Sequence, residues 1–121
     1  MNTKDVQSLF AYDRWADRRL LAACALVSAD DFSRDLAASF GSLRGTLLHI
    51  LWGERRWLHR WVHGATIPDP NVEDFPTVAA LEQAWTEVEQ QRVPFLQSLS
   101  DAGLESTLTV RGQEFRLCDL I

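Results

Sequence analysis

The sequence predicts an all-α protein, a helical bundle with three long helices, a small hairpin and the start of a fourth helix. Three segments carry apolar residues at the three- and four-residue spacing of an amphipathic helix face. Only one short stretch near the end alternates with a period of two. A chain of 121 residues with 46% hydrophobic residues can build one core, so we expect a single domain over residues 1–121.

The first helix is predicted from Lys4 to Val27. Its apolar stripe consists of Val6, Leu9, Ala16, Leu20, Ala23 and Val27. Asp13 occupies a slot within this stripe, and Asp17 lies four residues later on the same face. We expect these carboxylates to pair with Arg14 or Arg18 near the surface. The alternative is that they lie in a pocket or behind a metal ligand.

The second helix is predicted from Ser42, its N-cap, to His63, with Gly64 as the stop. It carries all three histidines of the chain. Its apolar stripe consists of Leu43, Leu47, Ile50, Trp57, Leu58 and Trp61. Glu54 falls within this face, and a buried carboxylate must be paired, hydrogen-bonded or protonated. We expect a pair with an arginine of the first or third helix; orienting a metal ligand and acting as a base are the alternatives.

His49 points away from the apolar face, with Gly45 four residues before it and Gly53 four residues after it. Two glycines leave a histidine unobstructed, so a metal ion, a ligand or a neighbouring backbone could approach closely. The alternative is close helix packing at the glycines beside an exposed histidine. His59 and His63 could chelate a separate ion, although ordinary exposed residues near a helix end are the simpler expectation.

The rest of the chain is predicted as connections, a third helix and a hairpin. Ser28 to Phe40 is a long connection, and the proline-rich stretch from Thr66 to Pro76 is an irregular crossover. Thr77 is the N-cap of the third helix, whose apolar stripe is Leu81, Trp85, Val88, Phe95 and Leu99. A two-residue period on either side of residues 111–113 predicts the hairpin. Residues 117–121 look like the first turn of another apolar helix.

Composition excludes several classes of function. A net charge of −5 and a pI of about 5.1 argue against a general nucleic-acid binder. The arginine cluster Arg55, Arg56 and Arg60 is typical of a solvated helix face. Cys24 and Cys118 form no metal or disulfide motif. No segment resembles a signal peptide or a membrane span, so we expect a cytoplasmic protein with no membrane and no nucleic-acid partner.

Several motifs, in order, resemble the DinB-like family. Residues 12–17 (YDRWAD) resemble the Tyr-Asn-x-Trp-Ala-Asn opening of that family, with aspartates where it has asparagines. Residues 39–51 (SFGSLRGTLLHIL) resemble its second-helix signature, followed by Glu54 and Trp57 at the usual distances. Residues 74–76 (DFP) and the hairpin from 112 to 121 (GQEFRLCDLI) are also similar to the family. The similarity covers nearly the whole chain.

The resemblance implies a four-helix bundle, often a homodimer, that holds a divalent metal such as zinc or nickel with three histidines. His49 would be one ligand. The other two form a His-x-x-x-His pair on the fourth helix, which in the family follows just after the point where this sequence stops. We therefore expect a C-terminally truncated chain whose metal site is incomplete.

Two classes of function remain open from the sequence, so it does not decide whether the protein is an enzyme. The resemblance implies a metal-dependent enzyme, a thiol-dependent transferase or a hydrolase, that acts on a small-molecule substrate with a low-molecular-weight thiol. No residue stands out as a catalytic nucleophile, so a bound thiol or water would have that role. The alternative is a non-catalytic helical module for dimerisation or binding.

Overall fold

Three long helices form the frame of the protein in a computed structural model that describes all 121 residues. In chain order the elements are α1 (Thr3–Cys24), α2 (Ala29–Ser33), α3 (Leu43–His63), α4 (Val78–Ser98), α5 (Asp101–Leu104), β1 (Thr107–Val110), β2 (Gln113–Arg116) and α6 (Leu117–Leu120), with a 3₁₀ turn at Val72–Asp74. The all-α class is confirmed. The closed four-helix arrangement stays a prediction, because α6 is only four residues long.

Side-chain caps fix the starts of the long helices. The side chain of Asn2 accepts from the backbone N–H of Asp5, and the Asp5 carboxylate accepts from the backbone N–H of Asn2, which makes a capping box. Ser42 and Thr77 cap α3 and α4 as predicted. Gly64 ends α3 in the left-handed conformation, with φ of 67°.

One apolar core is shared by α1, α2, α3 and α4. Its largest fully buried members are Trp85, Leu47, Leu51 and Leu81. The stripe predicted for the first helix is partly wrong, because Leu9 and Leu20 are 49% and 37% exposed. The buried face of α1 is turned toward Leu21 and Cys24, and it includes Asp17.

Other boundaries also differ from the sequence prediction. The first helix ends at Cys24 and not at Val27, and the expected long connection contains α2, which is capped by Ser28 and anchored by the buried Phe32. Local Ser and Asp chemistry is enough to start such a short helix, but its length cannot be judged from periodicity. None of the helices combines the length and the hydropathy that a membrane span requires.

The predicted hairpin is present. Arg111 and Gly112 join its strands with φ of 51° and 79°, the two positive values that a two-residue turn of this twist needs. The chain then turns into α6, where the backbone N–H of Leu117 donates to the carbonyl of Ser106 at 2.8 Å. Leu120 and Ile121 line a pocket between α1 and α3.

Candidate functional site

His49 lies on the surface of α3 with its ring exposed. The ring stacks on Phe40, with 3.9 Å between the centroids and 15° between the planes. It makes no hydrogen bond to another residue. Because a metal binds an imidazole nitrogen through the lone pair in the ring plane, stacking on one face leaves both nitrogens accessible.

The two glycines beside His49 have different roles. A Cβ on Gly45 would lie 2.0 Å from the carbonyl oxygen of Phe40, so this glycine allows the backbone before α3 to pass close to the helix. A Cβ on Gly53 would meet no atom within 4 Å, so this glycine borders open space. The sequence allowed either close packing or free access at these glycines. The structure shows close packing at Gly45 and free access at Gly53.

A pocket of about 540 Å³ adjoins His49. Phe40, Trp52, Arg56 and Asp69 are among its lining residues. The indole N–H of Trp52 donates to the carbonyl of Pro68 at 2.9 Å, which ties the crossover segment to α3 as a wall of the pocket.

The residues around His49 fit a metal only in part. The ring is accessible and chemically suited to zinc or nickel. Within the 121 residues, however, His49 belongs to no group of three histidine, cysteine or carboxylate side chains whose ligand atoms lie within 4.8 Å of one another. His49 therefore supplies one ligand, and the described residues do not complete a three-ligand site.

A second polar centre lies inside the bundle, where carboxylates of α1 and α3 meet α4. Oxygens of Asp13, Asp17 and Glu54 lie within 4.8 Å of one another. Arg92, only 3% exposed, donates from Nη2 to Glu54 at 2.7 Å and from Nη1 to Asp13 at 3.1 Å. The indole N–H of Trp85 lies 2.7 Å from Glu54 and 3.0 Å from Asp17.

Burial changes the acidity of this cluster. Burial is the main cause that raises the pKa of Glu54 to about 9. A hydrogen bond with Asp13 and the negative charges of Asp17 and Asp13 raise this pKa further, whereas the hydrogen bond with Arg92 lowers it. Burial, followed by the charge of Asp13, raises the pKa of Asp17 to about 6. Three carboxylates share one guanidinium here, so a proton on Glu54 at neutral pH relieves the repulsion between like charges.

Carboxylate oxygens at these distances are compatible with a divalent cation. Here, however, the indole of Trp85 already donates hydrogen bonds to them, and the guanidinium of Arg92 supplies a positive charge from within the protein. On one side the cluster borders a pocket of about 330 Å³, whose lining includes Phe10, Trp57 and Leu120.

The structure tests the sequence predictions for these carboxylates. Glu54 does pair with an arginine of the third predicted helix, which is Arg92. The expected partners of Asp13 and Asp17 are wrong, because Arg14 and Arg18 turn to Glu89 of α4 instead. Arg92 is not among the predicted site residues, although its spacing from Trp85 and Val88 places it on the apolar face of α4.

The other arginines of α3 contact neighbours within the chain. The guanidinium of Arg55 lies 5.0 Å from the ring centroid of Trp52, and that of Arg60 lies 4.9 Å from the ring centroid of Trp57. Arg56 forms an ion pair with Asp69. These contacts hold the guanidinium groups against the helix surface.

Comparison with known protein families identifies a family for this chain. The family model described as "DinB family" matches residues 1–116. No curated protein matches the sequence.

Proposed function

The chain belongs to the DinB family, and we propose that it acts as a divalent-metal-dependent enzyme in which His49 supplies one metal ligand. The observation that carries this proposal is the accessible ring of His49 on the second long helix of a chain matched to the family over residues 1–116. The other ligands of this metal ion would come from outside residues 1–121 or from a second molecule, since the described residues supply no second ligand beside His49.

The residues around His49 would prepare the site. Phe40 restricts rotation of the imidazole by stacking on it, and Gly53 leaves space beside it for a substrate. A metal held there would supply Lewis acidity, which lowers the pKa of a thiol or of water. The crossover segment fixed by Trp52 limits the volume in which a substrate could lie.

We assign the reaction to one of two classes, transfer that depends on a low-molecular-weight thiol or hydrolysis of a small molecule, in the cytoplasm. The two differ in a simple requirement: a thiol-dependent transferase needs added thiol for turnover, and a hydrolase does not. No side chain of this pocket is a strong nucleophile, which favours a nucleophile that is bound from solution.

An activity screen tests this proposal. Protein expressed from its complete reading frame is assayed with electrophilic and ester substrates, with and without glutathione and with and without a chelator. We expect metal-dependent turnover that falls at least a hundredfold in His49→Ala. An alanine at Glu87, an exposed residue of α4, provides the control and should retain full turnover. Turnover that persists in His49→Ala would reject the assignment.

A second candidate function is a non-catalytic module that forms a homodimer. It is favoured by large apolar side chains exposed on one side of α1 and on α3. These are Leu9 (49% exposed), Tyr12 (66%), Leu20 (37%) and Ile50 (37%). Large apolar side chains that remain exposed on one side of a helix can be buried by association with a second molecule.

Sedimentation over a hundredfold range of concentration tests the dimer. We expect a dimer in the wild-type protein and a monomer in the double variant Leu9→Glu/Leu20→Glu, which places two charges in the exposed patch. A wild-type monomer at every concentration would exclude this candidate. Circular dichroism of the variant verifies that its helices are intact.

A further inference from the structure

We propose that His59 and His63 form a separate site for a divalent transition metal, such as Zn²⁺, Ni²⁺ or Cu²⁺, at the C-terminal end of α3. The two rings lie one turn apart on the same face of the helix, with 4.6 Å between their centroids and 48° between their planes. Histidines at positions i and i+4 of a helix are a known arrangement for binding one ion.

The separation of the rings matches what a shared ion requires. A metal–nitrogen bond is about 2.0–2.1 Å, and a ring centroid lies roughly 1.1–1.2 Å behind its nitrogen. Two imidazoles bound to one ion at an angle of about 90–110° therefore have centroids about 4.5–5.2 Å apart. The observed 4.6 Å falls within this range, so the two rings are close enough to bind one ion.

The surroundings leave both histidines available. Neither ring makes a hydrogen bond to another residue, and both rings line a pocket of about 520 Å³ between α3 and α4. Gln91 of α4 also lines this pocket, and its amide oxygen is a third candidate ligand. The site also lies in the last turn of α3, where the negative end of the helix dipole favours a cation.

Charge near the pair sets the expected affinity. Arg55 also lines the pocket, and Arg60 lies in the same last turns of α3, so two positive charges oppose the ion. Two histidines with these neighbours should bind the ion in the micromolar range, well below the affinity of a complete four-ligand site. His49 is ten residues from His59, roughly 15 Å along the helix axis, so the two sites are independent.

Calorimetric titration with Zn²⁺ and Ni²⁺ tests the proposal, with all variants in the His49→Ala background so that the other proposed site cannot contribute. We expect one micromolar site per chain and at least a tenfold loss of affinity in His63→Ala, which removes an exposed ring and should leave the fold intact. Saturating Ni²⁺ should raise the melting temperature of the His49→Ala protein but not that of the protein that also carries His63→Ala, because chelation fixes the end of α3. Equal affinity in the parent and in His63→Ala, or no binding below millimolar Zn²⁺, would overturn the site.

Discussion

The guanidinium of Arg92 donates a hydrogen bond to the carboxyl group of Glu54 inside the bundle, with 2.7 Å between Nη2 and Oε1. The pair joins α4 to α3, and the second guanidinium nitrogen extends the link to Asp13 of α1 at 3.1 Å. The guanidinium carbon also lies 4.6 Å from the ring centroid of Phe10. One buried arginine therefore connects all three long helices.

Replacing Arg92 should destabilise the protein strongly. In Arg92→Met the carboxylate of Asp13 loses its counter-charge and the protonated Glu54 loses a hydrogen-bond donor, and a buried polar group left without its partner costs about 1–3 kcal/mol. Urea denaturation measures the free energy of unfolding. The matched control is Arg14→Met, because Arg14 is 67% exposed and its pair with Glu89 should be worth about 0–1 kcal/mol. Similar losses in both variants would refute a special role for Arg92.

The stability of the protein should fall as the pH rises above neutrality. The pKa of Glu54 is raised from 4.5 to about 9, so between these values the folded state holds a proton that the unfolded chain has lost. Stability gained by this protonated form is present at low pH and disappears as the pH rises through the window. We expect a loss of at least about 1.4 kcal/mol between pH 5 and pH 9, the equivalent of one pKa unit.

The variant Glu54→Gln identifies the group responsible for this pH dependence. It cannot ionise, so its free energy of unfolding should change much less than that of the wild type between pH 6 and pH 9. The pKa of Asp17 is also raised, but only to about 6. The stability that protonated Asp17 contributes is therefore lost at lower pH in both proteins. A wild-type stability that stays constant or increases from pH 5 to pH 9 would contradict the protonated state of Glu54.

These carboxylates illustrate how far the sequence determines the site. Glu54 within an apolar stripe was sufficient to predict an arginine partner, because a buried carboxylate cannot remain unpaired. Which arginine pairs with Glu54 depends on how α1 and α4 are rotated about their axes against α3, and periodicity does not fix that rotation to better than a residue or two. For the same reason, periodicity places Leu9 in the core and Asp17 near the surface, whereas Leu9 is exposed and Asp17 is buried.

The helices themselves were more predictable than their packing. The helix ends depend on local interactions, so they are visible in the sequence. The N-caps Ser42 and Thr77 accept local backbone hydrogen bonds, and Gly64 adopts a left-handed backbone angle. The contact between Phe40 and His49 is different, because it depends on the path of the chain before α3. It follows from the close approach of the backbone at Gly45, which no sequence pattern specifies.

Alanine at the two glycines beside His49 should have opposite effects. Gly45→Ala places a methyl group against the carbonyl oxygen of Phe40, and such overpacking costs about 1–3 kcal/mol. Gly53→Ala meets open space inside a helix and should stabilise the protein by about 0.5–1 kcal/mol. Thermal denaturation measures the change in stability of each variant. In NMR spectra, the His49 ring protons should lose the ring-current shift caused by Phe40 only in Gly45→Ala. Equal effects of the two substitutions would contradict the close approach at Gly45.

The most direct test of the proposed function is the metal content of protein expressed from its complete reading frame. The measurement is made by mass spectrometry after dialysis, in a His59→Ala/His63→Ala background that removes the second candidate site. We expect about one tightly held divalent ion per chain or per shared site, and its loss when His49→Ala is added. The same ion content with and without the imidazole of His49 would contradict it.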